Sequence, residues 1–265
     1  MKKHKNFLYL LGLALLLPNL AFNKKAQKVN KAGNKNRCFS LGESLHYRVH
    51  YGIINAAKIT LRVHDEMVKV GGTETYKITA DGKTIGGFYY LYKVKDHFES
   101  YLNPSNLLPM KYYKKVRENK YRSEDLVRYD HQKKMAYGKK ENTPISAAVQ
   151  DVVSALYYAR NIDFSEAKIG QSYPVDIYLD QQLYQLGFTY LGKEILDSDM
   201  GKIACLKMRP QVVKDEIFES EDALTFWLSD DQNKVPIRVR AKIWVGSFKI
   251  DLSKAEKLRY PLARL

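Results

Sequence analysis

Six histidines, two cysteines and a few adjacent acid pairs are the side chains of this 265-residue chain that could do chemistry. Histidines beside acids can hold a metal ion or move protons. His46 and His50 share one face of a predicted strand, yet at 3.3 Å per residue they stand about 13 Å apart, too far to share an ion. His64 next to Asp65 has no ligand spacing around it, and neither H-E-x-x-H nor C-x-x-C occurs. Ser44, Ser154 and Ser172 lie in no nucleophile elbow. Asp230–Asp231 and Glu221–Asp222 fall in turn-like stretches, where acids serve the turn. The glycine pair of "TIGGFYY" lacks the lysine and helix of a phosphate loop. These residues predict no catalytic site, no metal and no cofactor, and so a protein that is not an enzyme.

Aromatic side chains offer a different chemistry. Phe88, Tyr89, Tyr90, Tyr92, Phe98 and Tyr101 crowd one stretch, and the whole chain carries 20 tyrosines. On a strand, Phe88, Tyr90 and Tyr92 share a face. They are candidates for the wall of a ligand cavity; the alternative is a strand covered on both sides.

The N-terminus predicts a compartment. Lys2, Lys3 and Lys5 precede an uncharged run from Phe7 to Phe22, broken by Pro18. That is the layout of a secretory signal peptide, here residues 1–21. It is short for a membrane span, so the mature protein is expected to hold no transmembrane helix and to be periplasmic. Residues 22–37 read as a basic, disordered linker. Nine of the 15 excess positive charges lie in residues 1–37, which argues against nucleic acid as a partner of the remainder. In an oxidising compartment Cys38 and Cys205 are a candidate disulfide; two buried free thiols are the alternative.

The rest of the chain, residues 38–265, must position these groups, and it reads as one β-rich domain. "SLHYRVHY" places Leu45, Tyr47, Val49 and Tyr51 on one face. Ala57, Ile59, Leu61 and Val63 repeat the pattern, as do Val235, Ile237, Val239, Ala241, Ile243 and Val245. Period-two alternation marks an antiparallel sheet with one solvated face. About a dozen strands are expected, and so many cannot stay flat. One segment breaks the rhythm: Val149, Val152, Val153 and Leu156 recur at helical spacing, with Thr143 and Pro144 suited to start a helix that ends near Asn161. The fold expected is mainly β, a curved antiparallel sheet in the form of a half-barrel or open barrel. The amphipathic helix lays those four residues across its concave side or mouth.

Four blocks carry a resemblance. "FSLGESLHYRV" (Phe39–Val49), "QDVVSALYYAR" (Gln150–Arg160), "LGKEIL" (Leu191–Leu196) and "LSDDQNKVPIRVRAKIWVGSFKIDL" (Leu228–Leu252) are similar, in this order, to the signature blocks of the DUF3108 family of exported bacterial proteins. The basic tail and the abundance of Lys and Tyr resemble a Bacteroidota-type member. The resemblance implies a periplasmic protein whose curved sheet and helix are similar to the half-barrel of the lipoprotein carriers LolA and LolB. It supplies no catalytic residue. Glu43, Gln150 and Asp151 fall in the matched blocks without a role; the last two point away from the apolar stripe, toward either rim loops or an opening.

The function expected is binding of a lipid or other hydrophobic ligand inside the sheet. The alternative is a structural or assembly factor of the envelope that meets a protein partner through Arg238, Arg240, Lys242 and Trp244. An envelope hydrolase is a more distant third.

Overall fold

A computed structural model describes residues 37–210, 223–243 and 246–265. The expected signal peptide, all of the linker but Arg37, and Trp244 and Val245 lie outside the described residues.

Among the described residues, fourteen strands form one antiparallel sheet. They are β1 (Ser44–Tyr51), β2 (Ile54–Val70), β3 (Thr73–Thr84), β4 (Lys95–Leu102), β5 (Pro109–Glu118), β6 (Tyr121–Asp130), β7 (Met135–Tyr137) and β8 (Asn142–Pro144). Then come β9 (Ser172–Leu179), β10 (Gln182–Ser198), β11 (Gly201–Pro210), β12 (Leu224–Ser229), β13 (Pro236–Ile243) and β14 (Gly246–Glu256). Consecutive strands are neighbours, except β8 and β9, which form the two edges; β1 pairs with β14 and joins the two halves. The order runs from β8 through β1 and β14 to β9.

The alternation read from the sequence is the alternation of the sheet. Leu45, Tyr47 and Val49 are buried, as are Val235, Ile237 and Ala241. The sheet curls but does not close. Its edges, β8 and β9, are bridged by the chain that follows β8. The Gln150 amide donates to the Asp176 carbonyl at 2.8 Å, and the Tyr178 amide donates to the Gln150 carbonyl at 2.8 Å. An ion pair between Lys114 and Asp180 spans the same seam. Two backbone groups of the β9 edge that could recruit another strand are thus occupied.

Among the described residues, two helices interrupt the strands: α1 (Phe88–Leu91), a single turn, and α2 (Val152–Arg160). The expected helix start at Thr143–Pro144 is corrected. Those residues form β8, an edge strand, where a proline costs no ladder hydrogen bond. The start is Asp151 instead. Its Oδ1 accepts from the amides of Val153 and Ser154, both at 2.8 Å, while Ser154 Oγ accepts from the Asp151 amide at 2.7 Å. This reciprocal pair satisfies donors that the first helical turn leaves free. Val149, Val152 and Val153 are buried and Leu156 is half-buried. Burial contributes roughly 1.5–3 kcal/mol for each such side chain that is fully covered. Tyr157 is wholly buried, edge-on to Phe39 at 5.1 Å. Among the described residues no helix is long and apolar enough to cross a membrane.

Candidate functional site

The helix is pinned at both ends by buried polar groups. At its N-terminus Ser100 of β4 donates to Asp151 Oδ2 at 2.6 Å. At its C-terminus Arg160 meets Glu43, just ahead of β1. Nη1 donates to Oε1 at 2.7 Å and Nη2 to Oε2 at 2.8 Å. Arg160 Nη2 also donates to the Cys38 carbonyl at 3.2 Å, and Nε to the Asn233 carbonyl at 3.1 Å. Both partners of this ion pair are 0% exposed. A charge so deeply buried is tolerated only when paired and hydrogen-bonded throughout. Gln150, Asp151 and Glu43 are all buried, and none of them lines the cavity between helix and sheet.

Between helix and sheet lies a cavity of about 130 Å³. Val152, Val153 and Leu156 form its roof. Its floor draws on both halves of the sheet, with Ile59 and Leu61 of β2, Phe98 of β4, Phe226 of β12, Val239 of β13 and Ile250 of β14. The surroundings are almost wholly apolar. Gly82 of β3 leaves part of the wall bare: a Cβ added there meets no atom within 4 Å.

Three of the lining residues are polar: Tyr47, Asp81 and Asp96, of which Asp81 pairs with His97 at 2.7 Å. The buried hydroxyl of Tyr47 has no hydrogen-bond partner among the described residues. Asp96 accepts from the Arg117 amide at 3.0 Å. Behind Asp96 stands Glu118, which accepts from the Tyr92 hydroxyl at 3.0 Å. Burial pushes the Asp96 carboxyl up to about 6. Burial, and then the charge of Asp96, push Glu118 up to about 9. Both shifts favour one proton kept on the pair at neutral pH, since two carboxyls sharing one buried site resist double ionisation.

The sequence-predicted aromatic wall is not formed. Gly86, with φ of +56°, and Gly87 end the extended run after β3, and the next four residues make the turn α1. Phe88 is buried against Tyr51 at 6.0 Å between ring centres, Tyr90 is 85% exposed, and Tyr92 serves Glu118. None of the three borders the cavity. The disulfide expectation is corrected as well: Cys38 and Cys205 are free, buried thiols. Asn161 Nδ2 donates to Cys38 Sγ at 3.1 Å, whereas Cys205 Sγ points to the Ile203 carbonyl at 3.5 Å. Asp231 does serve a turn, accepting from the amides of Asn233 and Lys234. Among the described residues no group of three metal-binding side chains converges. Of the expected partner surface, Arg238 is held by Asp251, Arg240 lies over the Trp227 ring at 5.9 Å, and Lys242 is exposed.

Sequence reasoning missed the Asp96–Glu118 pair and the role of Arg160. No motif marks either; strand register and tertiary folding bring them together.

A family model described as "Protein of unknown function (DUF3108)" matches residues 46–253. No curated protein matches the chain in sequence. A solved structure, the beta-barrel-like protein of domain of unknown function DUF1849 from Brucella abortus, is similar with a TM-score of 0.54. It is 8% identical over 84% of this chain and 100% of that one, which is a likeness of fold alone. Two further structures have a TM-score of 0.37. One, from Bacteroides fragilis, is described as exported with a YmcC-like fold; it is 10% identical over 83% of this chain and 97% of its own. The other, from Parabacteroides distasonis, is described as a lipoprotein; it is 12% identical over 83% and 99%.

Proposed function

The chain belongs to the DUF3108 family, a family of unknown function, and from its interior we propose a non-enzymatic binding protein of the cell envelope that holds a slender apolar group. The observation that carries this reading is the apolar cavity between α2 and both halves of the sheet. The basic start and apolar run of residues 1–22 support export. Size narrows the ligand. An apolar cavity of about 150 Å³ takes one benzene-sized molecule, so about 130 Å³ suits the end of a single acyl chain and is too small for a two-chain lipid. Because α2 is anchored at both ends, the ligand enters past it rather than by lifting it.

The test uses the full chain, purified without detergent, with decanoate as the probe. Decanoate is expected to raise the melting temperature of the wild type. Gly82→Leu fills the bare wall, is expected to fold at least as stably, and loses the response. If decanoate leaves the wild type unmoved and native mass spectrometry shows no co-purified apolar molecule, the reading is wrong.

A further inference from the structure

The outer face of the sheet carries an arrangement that the cavity does not explain. Lys58 of β2 stands directly opposite Lys83 of β3, and Lys83 opposite Lys95 of β4. The pairs His97–Lys115 and Val94–Glu118 place Lys95 opposite Arg117 of β5. Arg117 in turn faces Arg122 of β6. Five cations thus form one rung across five adjacent strands. At about 4.8 Å between strands the rung spans roughly 19 Å.

Like charges directly opposite one another destabilise a sheet. The next rung shows the usual remedy: Asp81 pairs with His97 at 2.7 Å and Lys115 with Glu124 at 3.9 Å. In the cationic rung Lys58, Lys83, Lys95, Arg117 and Arg122 are all exposed, and none has a carboxylate partner among the described residues. The acids next to it in sequence, Asp96 and Glu118, are buried, and those one rung away on the same face, Asp81 and Glu124, are taken by His97 and Lys115.

Beyond this rung the strand ends carry exposed apolar residues. Ile53, at the tip between β1 and β2, is fully exposed, and Tyr90 and Leu91 of α1 are 85% and 77% exposed. The two tips are neighbours, because the Ile85 amide donates to the Ala56 carbonyl at 3.0 Å. Lys93 lies over the Tyr89 ring at 5.1 Å. From Lys58 to Ile54 is about 13 Å of extended chain. Apolar tips ahead of a band of cations match the layering of a bilayer surface. Such tips sit roughly 5–10 Å into the headgroup and acyl boundary, and phosphates lie at the level of the cations.

We propose that this end of the sheet docks on an anionic lipid bilayer, with Ile53, Tyr90 and Leu91 entering the interface and the five-cation rung facing lipid phosphates. A membrane is favoured over a soluble polyanion because the apolar tips have no counterpart on the latter.

The test uses the full chain with vesicles of phosphatidylglycerol and phosphatidylcholine, and with phosphatidylcholine alone. Amide hydrogen exchange reports on the tips separately from any binding by the basic N-terminal residues. Exchange at 52–54 and 86–93 is expected to slow on the anionic vesicles and not on the neutral ones. A variant combining Lys58→Gln, Lys83→Gln, Lys95→Gln, Arg117→Gln and Arg122→Gln is expected to need at least about ten-fold more anionic lipid for the same protection. Its melting temperature is expected to equal or exceed that of the wild type, since repulsion is removed. Ile53→Ser with Leu91→Ser is expected to weaken protection while leaving its salt dependence. Unchanged exchange at the tips with either vesicle overturns the proposal. Equal protection of wild type and the glutamine variant overturns it too, as does protection of these amides by heparin but not by vesicles.

Discussion

Arg160 and Glu43, 117 residues apart in sequence, form a two-point ion pair wholly shielded from water, and this pair fixes the C-terminal end of α2 to the start of the sheet. Removing either partner leaves the other charge buried and unpaired. Arg160→Met or Glu43→Leu alone is expected to cost about 3–5 kcal/mol. Both together are expected to cost far less than the sum. Urea unfolding of the two single variants and the double variant measures this; additive losses would refute it.

At the other end Asp151 serves three donors, two backbone amides and Ser100 Oγ. Asp151→Ala is expected to cost about 2 kcal/mol, more than an exposed cap, because the orphaned donors are buried. Ser100→Ala made in the Asp151→Ala background is expected to cost less than it does in the wild type. Equal costs in the two backgrounds, by the urea midpoint, would show that the two do not interact.

Acidity should act on stability in an unusual direction. Glu118 and Asp96 have folded-state pKa values raised to about 9 and about 6. The folded state therefore keeps protons that the unfolded chain has released. Stability falls as pH rises, between about 4 and 6 through Asp96 and between about 4.5 and 9 through Glu118. Glu118→Gln is expected to flatten the decline between pH 6 and 9 and to raise the melting temperature at pH 8. A variant with the wild-type slope over that range would place the proton elsewhere.

Burial raises the Cys38 thiol to about 11 and the Cys205 thiol to about 12, leaving almost no thiolate at neutral pH. Native protein is expected to react with a maleimide only as fast as it opens, and two labels appear after denaturation without reductant. Fewer than two labels under those conditions would mean that the thiols are oxidised.

The strand pattern was readable because each strand buries one face, so Leu45, Tyr47 and Val49 announce their own direction. The helical positions Val152, Val153 and Leu156 were readable for the same reason; Val149, expected on the same helix face, is buried but precedes the helix, which Asp151 caps. The starting point of the helix was not, because Thr143–Pro144 suits an edge strand as well as a helix start. The D-x-x-S spacing of Asp151 and Ser154 was the better signal. The aromatic run misled: residues 88–92 have strand propensity, but Gly86 and Gly87 break the ladder first. Asp96 and Glu118 meet only after β4 and β5 pair in one particular register, which composition and periodicity do not specify. The facing cations of β2 to β6 depend on four successive registers and were equally hidden.

The bond between β1 and β14 puts the strand that comes last in chain order among the fourteen at the centre of the sheet, not at its border. A chain that emerges N-terminus first can assemble each half from local hairpins while the middle stays open. Assembly of the sheet finishes only when β14, Gly246–Glu256, arrives. A late premature stop is consequently no mild trimming: it would leave two raw edges face to face, the state most open to capture by a protease or by another copy.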